Sequence, residues 1–305
     1  MRAGLEVDLA GLRLRNPTIL ASGILGSSLS LLKRVEEAGA GAAATKTITA
    51  DPREGYPNPV FVDLGFGYLN AMGLPNPGVE EFSRLIAEAR RLLRIPVIAS
   101  VGGGGGEEFL LVAERVLEAG CDAIELNLSC PHVSGYGLEV GSDPELASRI
   151  AGSVKSISSK PVFAKISIHQ SELGVVGKVI GSGVDGITAI NTIRAMAIDV
   201  DSMKPILSNI YGGLSGRCIR PVALAVVYRI HGEFPDIPII GVGGVEDWKS
   251  ALEFILAGAS AVGIGSEIAR KDLKIFSETV QGLEEFLAER GFRSITELRG
   301  YAHRI

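Results

Sequence analysis

A recurring join between helix and strand is the feature that most constrains the fold of this chain. Four times a helical pattern runs into a small residue, then a glycine, then a short apolar strand. Glycine suits the left-handed residue that ends a helix, so each of these glycines predicts a tight helix-to-strand turn. The four joins are Ala38-Gly39, Ala119-Gly120, Ser182-Gly183 and Ala257-Gly258.

Four further strands complete a series of eight. One is PTILASG, from Pro17, and three carry proline at their start, from Ile95, Lys160 and Ile237. Proline at the first position of a strand loses no ladder hydrogen bond. Short apolar strands that alternate with helices require a parallel sheet covered on its faces. Eight such units predict an α/β fold, a (β/α)8 TIM barrel, and the lack of any linker predicts one domain over residues 1–305.

The connections differ in length on the two sides of the predicted barrel. Helix-to-strand links are short, whereas two strand-to-helix links are long and rich in Gly, Pro and Asn. They run from about Ala50 to Gly78 and from Arg194 to Arg220. Strand-to-helix loops all emerge at the carboxyl ends of the strands, so we expect the functional site on that face.

Bulk composition excludes several classes of function. The net charge of −5 supplies no basic field for nucleic acid or an anionic membrane. The three cysteines are scattered without metal-binding spacing, which indicates free thiols in a reducing compartment and no metal site. The sequence has no membrane-length apolar run, and its amino terminus lacks the apolar core of a signal peptide. We therefore expect a soluble, cytoplasmic protein.

Two lysines stand within apolar strands, where lysine is rarely buried without a partner. Lys165 either pairs with a carboxylate, for example Glu125, or contributes to a ligand site. Because Lys46, Asn127 and Asn191 end other strands on the same rim, the pattern favours a ligand site.

Glycines end the last two strands. Gly243 and Gly244 follow strand seven, and Gly265 and Ser266 follow strand eight. In barrels these two loops often bind phosphate, and glycine lets the backbone approach it closely. The pair predicts a phosphorylated ligand. The run Gly102 to Gly106 lacks the Lys or Ser of a phosphate loop, so we interpret it as a flexible connection.

Cys130 is the candidate reactive group. It lies three residues after Asn127, where the strand AIELN ends and a loop of small, polar and aromatic residues begins. A thiol can act as general base or nucleophile when nearby cations lower its pKa from about 8.5. The alternative is a small buried residue, the ordinary fate of cysteine, and we assign that role to Cys121 and Cys218.

Nine segments in order resemble the class 1 dihydroorotate dehydrogenases, specifically the catalytic subunit of the 1B branch. They are NPTILASG, TKTIT, NAMGLPNPG, ELNLSCP, FAKIS, AINT, YGGLSG, GVGGV and AGASAVGIGS, and they span nearly the whole chain. The resemblance implies a barrel that holds FMN and oxidises (S)-dihydroorotate to orotate in pyrimidine (UMP) biosynthesis.

The resemblance also implies roles for individual residues. Cys130 is the implied catalytic base, and no metal is implied. The implied FMN contacts are Ser22, Lys46, Thr47, Asn127, Lys165, Ile190, Gly216, Gly243, Gly244, Gly265 and Ser266. The implied substrate contacts are Lys46, Asn70, Ala71, Met72, Gly73, Leu74, Asn127, Asn191 and Thr192.

Partners and alternatives follow from the same likeness. It implies a homodimer, or a heterotetramer with an FAD and iron–sulfur subunit that passes electrons to NAD+. His132 and Ser100 depart from the family, which commonly has Asn at both positions. S-C-P-H also resembles the flavin domain of dihydropyrimidine dehydrogenases, so an FMN-dependent enzyme acting on uracil-like rings is one alternative. A Schiff-base barrel enzyme using Lys165 and a non-catalytic flavin-binding subunit are the others.

Overall fold

The computed structural model describes residues 4–128 and 143–304. Within them, eight parallel strands close into a barrel. Each strand pairs with its successor in the chain, and the last pairs with the first. The strands are β1 Thr18–Leu20, β2 Ala42–Ala44, β3 Val97–Val101, β4 Ala123–Asn127, β5 Val162–Ile166, β6 Gly186–Ala189, β7 Ile239–Val242 and β8 Ala261–Ile264. The predicted TIM barrel is confirmed.

Helices surround the barrel, and each strand of the ring is followed by at least one. Their buried faces pack on the strands, so one continuous apolar core fills the barrel and the layer around it. The helices are α1 Leu29–Glu37, α2 Val79–Leu92, α3 Gly106–Glu118, α4 Pro144–Ile157, α5 Leu173–Gly181, α6 Arg220–Glu233, α7 Trp248–Ala257, α8 Ile268–Lys271 and α9 Lys274–Arg290. Short 3-10 turns lie at Ile168–Gln170, Arg217–Ile219, Ile295–Leu298 and Tyr301–His303.

The four predicted helix-to-strand turns have the expected backbone. Gly39, Gly120, Gly183 and Gly258 have φ values of 102°, 89°, 94° and 119°. Residues with a side chain rarely adopt this region, so glycine at these positions allows the chain to reverse within a few residues. Short turns at this end leave the extra chain at the opposite, carboxyl end.

The two long strand-to-helix loops fold together into a second, antiparallel sheet. Its four strands come from both loops, in the order Ile193–Ala195, Gly212–Ser215, Tyr68–Asn70 and Phe61–Asp63. Leu69, Ala71 and Leu207 form a small apolar core for it. Two further strand pairs are Val7–Leu9 with Leu12–Leu14, and Ile198–Asp199 with Lys204–Pro205. The antiparallel sheet thus stands at the face where the barrel strands end.

In the two described ranges, no helix is both long and apolar enough to cross a bilayer. The same residues contain no group of three or more His, Cys, Asp or Glu side chains arranged to hold a metal ion.

The carboxyl-terminal segment packs on helix α6 through the ring of His303. The His303 ring stacks on Tyr228 at 3.7 Å between centroids and lies edge-on to His231 at 5.0 Å. Burial, followed by the charges of Arg299 and His303, lowers the pKa of His231 to about 4. Its buried Nδ1 has no hydrogen-bond partner among the described residues. The folded protein therefore favours the neutral ring.

Acid should weaken this contact. An unfolded histidine has a pKa near 6.5, so the stability contributed by neutral His231 is complete above about pH 6.5 and is lost as the pH falls towards 4. We expect the melting temperature of wild type to fall over this range by about 1–2 °C more than that of His231→Gln. This difference in melting temperature corresponds to a free energy of only ~1 kcal/mol, because solvent screens the charge of a partly exposed ring. Calorimetry at stepped pH measures it. His169→Gln, which removes an exposed histidine, should follow wild type.

Candidate active site

A cavity of about 380 Å³ opens where the barrel strands end. This volume lies within the range of small-molecule sites. Residues named from the sequence make up most of its wall. They are Ser22, Lys46, Thr47, Asn70, Met72, Gly73, Leu74, Asn127, Lys165, Ile190, Asn191, Thr192, Gly216, Gly243, Gly244, Gly265 and Ser266.

A few sequence expectations do not coincide with this wall. The Ala71 side chain is fully buried against Leu69 and Leu207 and does not line the cavity, so the expected substrate contact of Ala71 is not part of this geometry. The run Gly102–Gly106, which was not expected to contact phosphate, lies outside the wall. Cys130 and His132 lie outside the described residues.

Sequence reasoning missed the contribution of the antiparallel sheet to the cavity. Phe61 and Ser215 belong to that sheet and line the cavity, as does the neighbouring Val60. Phe61 stacks on Tyr68 with ring centroids 5.3 Å apart. An aromatic residue within a Gly- and Pro-rich loop was the available signal.

A buried ion pair lies at the floor of the cavity. Lys165 Nζ donates to Ser22 Oγ at 2.7 Å and lies 3.5 Å from Glu125 Oε1. Ser22 Oγ in turn donates to the same Glu125 oxygen at 2.7 Å. Side-chain exposures of 6% for Lys165 and 5% for Glu125 show that both charges are removed from bulk water. The carboxylate pairing foreseen for Lys165 is present, and Lys165 also lines the ligand cavity.

Amides and hydroxyls continue from this floor. Asn127 Nδ2 donates to Thr47 Oγ1 at 3.1 Å, and Asn191 Nδ2 donates to Asn127 Oδ1 at 3.2 Å. The Thr47 and Ser100 hydroxyls lie 3.1 Å apart. Such a chain holds each amide in one orientation, so it presents a fixed set of donors and acceptors to a ring with N–H and C=O groups.

The two cavity lysines differ in their surroundings. Lys46 Nζ donates to the Gly23 carbonyl at 3.3 Å, and burial lowers the pKa of Lys46 below its ordinary value. Lys165 has a carboxylate beside it. The cavity therefore has a fixed ion pair at one position and a desolvated amine at another.

The two glycines that follow β7 pack so closely on neighbouring residues that a side chain would not fit. Gly244 has φ 85°, and a Cβ placed on it would lie 2.8 Å from both Arg220 Cβ and the Gly216 carbonyl oxygen. Gly243 has φ 131°, with its Cβ position 2.9 Å from Ala223 Cβ. Only glycine fits such positions without displacement. The small residues expose peptide groups next to Ser266, a surface that suits the phosphate of a mononucleotide.

The other two thiols are not activated. Burial raises the pKa of Cys121 to about 12. Burial also raises the pKa of the half-buried Cys218, whose Sγ contacts the Ser215 carbonyl at 3.5 Å. Both remain protonated at neutral pH, which agrees with a structural role.

Fold and cavity together define the class as an α/β-barrel protein with a small-molecule site at the carboxyl mouth. A family model described as Dihydroorotate dehydrogenase matches residues 4–287. The chain belongs to the dihydroorotate dehydrogenase family, as its motifs predicted.

Curated relatives match over nearly their whole length. The dihydroorotate dehydrogenase B (NAD(+)) catalytic subunit of Pyrococcus horikoshii is 46% identical over 302 residues, covering 99% of this chain and 98% of the relative. The protein of the same name from Methanosarcina mazei is 45% identical over 304 residues, with 99% and 96% covered. These similarities confirm the resemblance to the 1B branch.

Among solved structures, the crystal structure of DHODH from Eimeria tenella in complex with ferulenol has the same fold. Its TM-score is 0.83 at 21% identity, over 99% of this chain and 89% of that chain.

Proposed function

We propose that this chain is an FMN-dependent catalytic subunit that oxidises (S)-dihydroorotate to orotate in pyrimidine biosynthesis, with residues 1–305 forming one FMN-binding domain. The observation that supports it most is convergence. Residues assigned to cofactor or substrate from motifs spread along the whole sequence line one cavity. Membership of the dihydroorotate dehydrogenase family supports the same substrate.

The cavity residues fit FMN. Gly243, Gly244, Gly265 and Ser266 would hold its phosphate, while Lys165 would face the ring edge on which negative charge develops. Bound FMN supplies the redox chemistry by accepting a hydride. The positive charge of Lys165 is already in place, so little reorganisation is needed when the ring edge becomes negative.

The remaining polar residues would bind and orient the substrate. Asn70, Asn127 and Asn191 supply donors and acceptors that match a ring with alternating N–H and C=O groups. Oxidation of a C–C bond beside carbonyl groups also needs a base that removes a proton from the carbon adjacent to the one losing hydride. We assign that base to Cys130 on the strength of the family motif.

The direct test compares substrates on the purified protein. We expect a yellow protein whose flavin absorbance is lost on anaerobic mixing with dihydroorotate and persists with dihydrouracil. Loss with dihydrouracil alone would favour the dihydropyrimidine enzyme. A colourless protein that borohydride traps as a substrate adduct would favour the Schiff-base alternative.

For the electron acceptor, we propose a partner subunit that carries FAD and an iron–sulfur cluster and reduces NAD+. The names of the relatives, which print NAD(+) and catalytic subunit, support this. The three scattered cysteines do not form a cluster-binding motif.

Two copies of the chain complete the proposed complex. Exposed apolar side chains on the long loop between β6 and α6 offer a surface for association. They include Val200 and Met203, each 84% exposed. Co-purification with an absorption spectrum and light scattering gives composition and mass. A cytoplasmic location remains a prediction.

Cofactor binding provides a separate prediction at Gly244. In Gly244→Ala the added methyl meets Arg220 and the Gly216 carbonyl at 2.8 Å in a backbone region unsuited to alanine. Relief of this strain, about 1–3 kcal/mol, requires the backbone to move out of the position proposed to hold the phosphate, so we expect FMN affinity to fall about 10-fold or more, measured by flavin fluorescence titration. Gly291→Ala is the matched control, because its φ is 75° and nothing lies within 4 Å of the new methyl. Equal affinity in Gly244→Ala and wild type would refute the predicted cradle.

A further inference from the structure

Glu125 is a buried carboxylate behind the cavity wall. It lies on β4, is 4% exposed and does not line the cavity. Asn127, which does line it, follows two residues later, so the two side chains leave the strand on the same side. Glu125 therefore does not contact a ligand in the cavity directly, and any contact runs through other residues.

Those residues are identified by their contacts. Glu125 Oε1 accepts hydrogen bonds from Ser22 Oγ at 2.7 Å and from Ser100 Oγ at 3.5 Å, and it lies 3.5 Å from Lys165 Nζ. Lys165 Nζ also donates to Ser22 Oγ at 2.7 Å. Glu125 on β4, Lys165 on β5 and Ser22, two residues after β1, form a closed triangle, and two of its corners line the cavity.

A buried ion pair of this kind constrains both partners. Loss of one partner leaves an uncompensated charge in a site with little water, which is strongly destabilising. A carboxylate on the side of Lys165 away from the cavity stabilises an ammonium directed towards the cavity.

We infer that Glu125 is a positioning residue, which holds the Lys165 ammonium directed into the cavity and acts on the bound ligand through Lys165. The expectations for FMN rest on the proposed function, whereas the ion-pair expectation does not.

The potential of bound FMN provides the first test, on the holoenzyme and without substrate. Glu125→Gln preserves shape and removes charge. If Glu125 holds the ammonium in place, the midpoint potential of FMN becomes more negative, because reduced flavin loses the positive charge beside it. If Glu125 acts only as a nearby negative charge, its removal makes the potential more positive. A positive shift or no shift would overturn the inference. Glu125→Asp keeps the charge and should lie between wild type and Glu125→Gln.

A stability cycle provides the second test and needs neither flavin nor substrate. Lys165→Met should lower the free energy of unfolding by leaving Glu125 unpaired, and adding Glu125→Gln should restore part of that loss. Additive losses in the double variant would contradict a coupled pair.

Asp185→Asn is the control for the measurement of the FMN potential. Asp185 pairs with Lys155 at 2.6 Å, partly buried and away from the cavity, so this variant should leave the FMN potential unchanged.

The reduction rate connects the pair to the proposed reaction. Glu125→Gln should slow dihydroorotate-dependent flavin reduction about 10-fold or more, since small misplacements in a site have effects up to ~10²-fold. It should have no further effect in a Lys165→Met background. If wild type failed to oxidise dihydroorotate while the potential shifted as expected, the proposed function would fail and the inference would stand. If wild type oxidised dihydroorotate and Glu125→Gln left the FMN potential unchanged, the inference would fail and the proposed function would stand. Should Glu125→Gln not fold, a Glu125→Asp protein with wild-type potential and rate would overturn the inference.

Discussion

Replacing Lys165 with methionine is expected to slow reduction of bound FMN by dihydroorotate about 10²- to 10³-fold, the range seen when one preorganised charge stabiliser is removed. Methionine matches the length of the lysine stem, with a sulfur atom in place of one methylene group, and lacks the ammonium. Lys165 lies at the cavity floor, 6% exposed, so water does not replace the missing charge. Because the glycines after β7 and β8 lie elsewhere in the cavity, we expect FMN to remain bound.

Anaerobic stopped-flow measurement of flavin absorbance gives the rate, and fluorescence titration gives FMN affinity. Lys155→Met is the matched control. Lys155 is also partly buried and paired with a carboxylate, Asp185, but it does not line the cavity. A Lys165→Met enzyme that reduced its flavin at the wild-type rate would remove Lys165 from the reaction.

The barrel could be predicted from sequence because its signals are local. Each strand is a short apolar run, and four of the helix-to-strand turns contain a glycine with positive φ, such as Gly39 or Gly258. These patterns require no knowledge of distant residues. The glycines after strands seven and eight could be assigned to the cavity for the same reason, since a barrel brings consecutive strand ends together.

The antiparallel sheet at the mouth could not be predicted in this way. Its strands are only three or four residues long, and Tyr68–Asn70 pairs with Gly212–Ser215 from a loop far along the chain. Neither segment has a period-two apolar pattern long enough to indicate a strand. Pairing at this separation depends on the barrel that first brings the loops together. Phe61 and Ser215 were therefore missed as cavity residues.

Glu125 shows a third case, in which the contact was foreseen and its consequence was not. The alternation of Glu125 and Asn127 on β4 already places both side chains on one side of the strand. Sequence reasoning weighed the pairing of Lys165 with Glu125 against a ligand site. In the structure both are present, because Ser22 and Lys165 contact Glu125 and also line the cavity.

The largest expected effect concerns Cys130. Cys130→Ala should slow dihydroorotate-dependent flavin reduction about 10²- to 10⁴-fold, the usual contribution of a general base, because alanine cannot accept the substrate proton. FMN should remain bound, since the substitution alters none of the proposed cofactor contacts. Reduction of the same flavin by dithionite should proceed as in wild type.

A control variant and a binding measurement separate proton removal from cofactor and substrate binding. Cys218→Ala removes a half-buried thiol whose pKa is raised by burial, and it should have the wild-type rate. Binding of orotate to Cys130→Ala, followed by the change in the flavin spectrum, should persist because Asn127 and Asn191 are unaltered. A Cys130→Ala enzyme with full turnover near neutral pH would require another base. Loss of turnover together with loss of FMN or orotate binding would instead assign Cys130 to the architecture of the site.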